Sequence, residues 1–268
     1  MTIERSSGIL FHISSLPGAY GTGTFGKTSY EFIDFLKKSG QKYWQILPLN
    51  PIGNENSPYS GRSAFAGNFL FIDLELLEEE GLLTKEDYKD LDFGQDSTRV
   101  NYDKLIKSKM QVLKMAYKNS RDKSLEGFEQ FIKENSFWLE DYAKFMAFKD
   151  FFNEPMQQWD IGVKKRLPAA LDEYNNHAIS NHINFYIFIQ YLFNKQWFNL
   201  KGYANHNDIK IIGDIPIYIS LDSSDVWSHP EVFDIDSNLG ASSVSGSPPD
   251  SFALDGQLWG NPLYKWDY

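Results

Sequence analysis

The sequence has 268 residues, 42% apolar, 23% charged and 16% aromatic, with a formal charge of −10 and a pI near 5.0. A chain of this length and composition buries a substantial core, which excludes disorder, and its acidic balance excludes a polyanion such as nucleic acid as main ligand, because phosphate backbones are bound by clustered Lys and Arg. There is no cysteine, so a disulfide framework and a Cys-ligated zinc site are excluded and a cytoplasmic setting is the default. The polar start and the short apolar run after it give neither a targeting segment nor a membrane span.

In chain order, residues 8–13 form an apolar run of strand length and lead into a Pro/Gly-rich loop over 14–26. Phe32, Ile33, Phe35 and Leu36 share one face of a helix predicted over 29–38, which Gly40 stops. Residues 43–47 make a second buried strand. Strand, helix and strand within about 40 residues is a βαβ unit with parallel strands, so the class is α/β. The loop 50–68 is too long and mixed for a simple connection and is a candidate for function. Residues 74–202 read as mostly helical, with the clearest periods over 102–117, 137–152 and 178–200, and the aromatics of 137–152 and 185–198 read as core. A third strand is predicted over 209–219, then a short helical stretch and a Gly/Ser/Pro-rich loop over 237–262. The expected segments are 1–73 with the first strand–helix units, 74–205 as a helical insertion, and 206–268 with the third strand and its loop.

Gly21-Thr-Gly-Thr-Phe-Gly26 matches the dinucleotide pattern, but residues 14–20 separate it from its strand and the second strand ends Pro48-Leu-Asn50 without an acidic residue, which argues against a nucleotide. His12, His177, His182, His206 and His229 present no metal-ligand spacing and read as structural or surface groups. No G-x-S-x-G elbow occurs. Asp214 interrupts an apolar strand, where a carboxylate is costly unless hydrogen-bonded, paired or facing a ligand at the strand's end; a structural acceptor and a ligand-facing group both satisfy this. Tyr59 and Trp259, each in a loop rich in small residues, suit either sugar stacking or ordinary loop anchoring.

Three stretches together resemble the amylomaltase (4-α-glucanotransferase, glycoside hydrolase family 77) family. They are Gly8-Ile-Leu-Phe-His-Ile-Ser-Ser-Leu-Pro-Gly-Ala-Tyr-Gly with Tyr43-Trp-Gln-Ile-Leu-Pro-Leu; Ser57-Pro-Tyr with Ser63-Ala-Phe-Ala-Gly-Asn; and Gly213-Asp-Ile-Pro-Ile through Pro248-Pro-Asp to Gly256-Gln-Leu-Trp-Gly-Asn-Pro-Leu-Tyr.

The resemblance implies a (β/α)8 TIM barrel with helical insertions, incomplete here, which cuts α-1,4-glucans and rejoins them to another glucan's 4-OH by retaining double displacement with two carboxyl groups. It implies no metal and no organic cofactor; malto-oligosaccharides and α-1,4-glucans are the partners. Carried over by position, Tyr59 stacks on the sugar with Ser57 beside it, and Asp214 binds or orders that sugar. Pro249, Asp250, Phe252, Gln257 and Trp259 belong to a mobile acceptor-side loop, which Asn261 and Pro262 help to fix. The family's Arg-x-Asp-His-Phe-Arg nucleophile motif is absent, so the nucleophile and acid/base are expected beyond Tyr268 and the chain alone is expected to be inactive. Asn54 and Ser251 depart from the family's usual aromatics, Phe69 from its Pro and Asn101 from its Asp. The alternatives are a maltodextrin-binding module without catalysis and an α-glucan hydrolase. An open barrel also implies self-association through uncovered strand edges and apolar faces.

Overall fold

The computed structural model describes residues 5–53, 55–94, 96, 98–174 and 177–267, the side chains at 177 and 178 excepted; Asn54 lies outside them. Its elements in chain order are β1 (Gly8–Leu10), α1 (Lys27–Lys38), β2 (Tyr43–Gln45), α2 (Leu74–Glu79), α3 (Tyr102–Ser120), α4 (Phe128–Glu134), α5 (Leu139–Phe152), α6 (Ile161–Lys164), α7 (Pro168–Glu173), α8 (His177–His206), β3 (Lys210–Ile212), α9 (Ser224–Ser228), β4 (Val244–Ser247) and β5 (Gln257–Pro262). The chain divides into two compact units. One comprises Met1–Leu49, Gly67–Phe131 and Phe188–Asp214; the other comprises Asn50–Ala66, Ile132–Ile187 and Ile215–Tyr268. This grouping cuts across the expected segments 1–73, 74–205 and 206–268.

The first unit is built on a parallel sheet of order β1-β2-β3, in which Leu10 pairs with Gln45 and Gln45 with Ile212. The strands are shorter than the apolar runs suggest. After Leu10 the chain turns into a 3-10 helix at Ile13–Ser15, and the Trp44 indole N–H donates to the Phe11 carbonyl at 2.7 Å. The strand predicted over 209–219 is corrected to Lys210–Ile212. Pro216 has no N–H for a ladder, and Ile215 and Ile217 are 80% and 72% exposed.

Helix α1 buries Ile33 and Leu36. Its Phe32 ring lies 5.1 Å from Trp44 and 5.5 Å from Phe11, while Gly40 adopts the positive φ of 72° that stops the helix. At the other end a Cβ on Gly26 would stand 2.0 Å from the Asp73 carboxylate. That carboxylate caps α2 by accepting from the Glu75 and Leu76 N–H groups and also accepts from Thr24. An acidic side chain thus fills the place beside the start of α1 where a pyrophosphate would have to lie, which agrees with rejecting the dinucleotide pattern.

Helix α8 organises the segment that links β2 to α2. Gln190 accepts from the Gly67 N–H and donates to the Gly67 carbonyl, both at 2.8 Å; Gln196 does the same to Asp73 at 2.7 and 3.1 Å. Two amides six residues apart on one helix thereby satisfy two backbone positions six residues apart in an irregular strap, the requirement buried polar groups impose. Phe25 fills the space beneath, 5.1 Å from Phe193 and 5.6 Å from Trp197.

In the second unit Trp227 of α9 is buried between Phe145 and Phe148 of α5, with Trp159 6.2 Å away. Its indole N–H donates to the Val163 carbonyl at 3.0 Å, and the Arg166 guanidinium lies 4.6 Å over the ring while pairing with Asp141 at 2.6 Å. The aromatics of 137–152 and 185–198 are mainly core, as expected; Phe137, Phe151 and Phe198 are exposed exceptions. The stretch 237–262, predicted as loop, contains the antiparallel hairpin β4–β5, with Ser247 opposite Gln257 and an irregularity between Val244 and Gly246. Its strands, Val-Ser-Gly-Ser and Gln-Leu-Trp-Gly-Asn-Pro, lack the β-branched alternation by which a strand is recognised.

Candidate functional site

In the second unit, the loop carrying Ser57 and Tyr59 is closed at its base. Ile52 and Gly61 form an antiparallel bridge, the Arg62 N–H donates to the Pro51 carbonyl at 3.1 Å, and the Asn50 side chain donates to the Ser63 carbonyl at 2.7 Å. At its tip the Ser57 hydroxyl accepts from the Tyr59 N–H at 3.2 Å, which sets the backbone direction there. Tyr59 is 45% exposed, and its ring is of the kind that stacks on a sugar face.

A carboxylate that nothing in the local sequence marks as functional anchors this loop. Asp225, in the first turn of α9, accepts from the Ala64 N–H at 3.2 and 3.3 Å, and the Ser224 N–H donates to the Arg62 carbonyl at 2.9 Å. Burial raises the Asp225 pKa, and the bonds from Ala64 and Ser224 oppose that rise. Ser63 also accepts from the Phe65 and Ala66 N–H groups. The one local signal was a Ser-Ser-Asp run opening a short helix, which announces a cap but not a distant partner.

The other predicted residues of this unit stand on the hairpin. The Asp250 carboxylate accepts from the Phe252 and Ala253 N–H groups at 2.8 and 2.7 Å, closing a turn. Phe252 is 94% exposed and projects from that turn. The Gln257 side-chain carbonyl accepts from the Trp259 indole N–H at 3.0 Å, holding a half-exposed ring 6.5 Å from Tyr218. Tyr218 in turn stacks on Tyr264 at 6.0 Å, and Asn261 is buried. The structure therefore couples Ser57 with Tyr59, Asp250 with the backbone of Phe252, and Gln257 with Trp259.

Asp214 belongs to the first unit and is half-buried two residues past the end of β3, so its expected place inside a buried strand is corrected. The reason is the short ladder: the chain leaves the sheet at Gly213, and the carboxylate stands at the C-terminal end of a parallel strand, where such sheets meet ligands. Among the described residues no three His, Asp or Glu side chains gather as a metal set, and no helix is long and apolar enough to cross a membrane.

Residues 11–268 match the family described as 4-alpha-glucanotransferase. A 4-alpha-glucanotransferase of Clostridium butyricum is 51% identical over 96% of the chain and 53% of its own length. That of Thermus thermophilus is 43% identical over the whole chain and 53% of its own length. An amylomaltase from Streptococcus agalactiae solved with acarbose superposes with a TM-score of 0.94 at 45% identity, over 99% of this chain and 54% of that one. The chain thus spans about half the length of the curated relatives it matches. With a match running from the end of the first strand to the last residue, the chain belongs to the 4-alpha-glucanotransferase family (glycoside hydrolase family 77).

Proposed function

We propose that the protein carrying this chain transfers a segment of an α-1,4-glucan to the 4-OH of another glucan or of glucose, by retaining double displacement in a (β/α)8 barrel in the cytoplasm. The observation that carries this is the likeness, over 99% of the chain, to an amylomaltase solved with acarbose. Residues 1–73 and 206–268 contribute barrel strands in this reading, and 74–205 decorate them. Tyr59 stacks on a glucose ring, its backbone set by Ser57, and Asp214 accepts from a sugar hydroxyl. Phe252, Gln257 and Trp259 shape the acceptor side on the β4–β5 hairpin, where Asp250 forms the turn and Asn261 anchors the base. No metal or organic cofactor takes part. The carboxylates that act as nucleophile and acid/base lie outside this sequence, so these 268 residues bind malto-oligosaccharide without turning it over.

The test incubates maltotriose with this chain and with a version lengthened to match its relatives, then separates the products. The lengthened protein is expected to yield glucose with maltopentaose and longer chains, and the 268-residue chain to leave maltotriose intact. Glucose and maltose without longer products would mean a hydrolase. Transfer by the short chain would overturn the assignment of its missing carboxylates.

A further inference from the structure

The three parallel strands end in register. Leu10, Gln45 and Ile212 are Cα partners, and the ladder runs one step further through Phe11 N–H to the Gln45 carbonyl and Ile46 N–H to the Ile212 carbonyl, both at 3.0 Å. Two residues beyond each partner stand His12, Leu47 and Asp214. Leu47 donates its N–H to Nδ1 of His12 at 3.2 Å, which spans the first two of these positions.

That bond assigns the tautomer. Nδ1 accepts, so the proton is on Nε2. The ring is further fixed edge-on to Phe71 at 5.4 Å and 86°. His12 is nearly buried, yet Nε2 is not among the sealed polar atoms, and among the described residues it has no protein partner. Burial pulls the ring's pKa down to about 4, so it stays an uncharged donor across the neutral range. A rigid ring with an unused N–H, placed at the C-terminal end of a parallel sheet, suits a neutral polyhydroxylated ligand better than an anion.

We infer that His12 is a further substrate-binding residue, whose Nε2–H donates to a hydroxyl of the glucan held over the C-terminal ends of β1, β2 and β3. This rests on the glucan-binding reading above. It adds a donor past the end of the first strand to the acceptor Asp214 past the end of the third, so that a sugar is oriented by two groups of opposite hydrogen-bonding sense.

Two substitutions separate this role from a structural one, because the two ring nitrogens do different things. In His12→Asn the amide oxygen can take the place of Nδ1 toward Leu47 while nothing reaches the Nε2 position. In His12→Gln the amide nitrogen can take the place of Nε2 and the acceptor for Leu47 is lost. Maltoheptaose binding to the 268-residue chain is followed by calorimetry, stability by urea denaturation, and the His12 Nε2–H by nitrogen-edited NMR. His12→Asn is expected to keep its stability and bind about tenfold more weakly, and His12→Gln to lose stability and keep most of its affinity. The Nε2–H resonance of the wild-type chain is expected to shift on saturation. Undiminished binding by His12→Asn, with no shift of that resonance while Tyr59 and Trp259 respond, would overturn the role of His12 alone. No response from any of these groups would overturn the glucan-binding reading with it.

Discussion

Lys109 leaves the middle of α3 with its Nζ sealed from solvent and without a hydrogen-bond partner. Burial lowers its pKa from 10.5 to about 8, with Asp73 pulling the other way. A folded-state pKa below the unfolded one means that the unfolded chain binds more protons between these values. The cost of burying the ammonium is therefore fully present below about pH 8 and disappears as pH rises towards 10.5. The drop corresponds to roughly 3 kcal/mol. Lys109→Met is accordingly expected to raise the urea-denaturation free energy at pH 7 by about 2–3 kcal/mol and to flatten its rise between pH 8 and 10; an unchanged pH profile would mean that the ammonium is solvated in the fold. Tyr59→Ala and Trp259→Ala remove half-exposed rings. Each is expected to weaken maltoheptaose binding by about tenfold with little change in melting temperature, read by calorimetry and circular dichroism.

The strap from Gly67 to Asp73 shows how an element without a regular hydrogen-bond ladder is held. The backbone groups of Gly67 and Asp73 at its two ends are satisfied from outside by Gln190 and Gln196 of α8, while Phe69–Phe71 between them forms a 3-10 helix. Replacing either glutamine with Leu orphans one N–H and one carbonyl, so each variant is expected to lose about 2–4 kcal/mol in urea denaturation. A loss below 1 kcal/mol would mean that water replaces the amide. The long helices were legible in the sequence: the periods over 102–117, 137–152 and 178–200 correspond to α3, α5 and α8, because apolar spacing is a local property. The partnership of α8 with the strap was not, since both glutamines meet partners 123 residues away. The β4–β5 hairpin was missed for a different reason: its strands carry Ser-Gly-Ser and Gly-Asn-Pro, and pairing of the two segments overrides their weak strand preference.

Across the whole molecule, apolar side chains at and beyond the ends of β1 and β3 are left in water: Leu10 is 56% exposed and Ile212 42%, and Ile215 and Ile217 are more so. With the outer edges of β1 and β3, which no strand among the described residues pairs, these lead us to expect self-association. Sedimentation at rising concentration is expected to show oligomers that Leu10→Lys with Ile212→Lys disperse, while a wild-type chain that stays monomeric throughout would count against this.

The sequence alone determined the α/β class, the parallel β1–β2 pair, the long helices and the family resemblance, because periodicity and short motifs are written in neighbouring residues. It also marked Ser57, Tyr59, Asp214 and Trp259 as residues of interest, without deciding what each side chain does. Only the tertiary structure decided that Asp214 stands past a strand rather than within one, that Asp250 is occupied in a turn, and that Asp225 secures the Tyr59 loop. It alone lifted His12 from one of five histidines read as structural or surface groups to an oriented ring whose Nδ1 accepts from Leu47. Each of these depends on where the ladder stops or on which distant backbone group a side chain reaches. Burial and hydrogen-bond saturation over the folded chain settle that, and local preference does not.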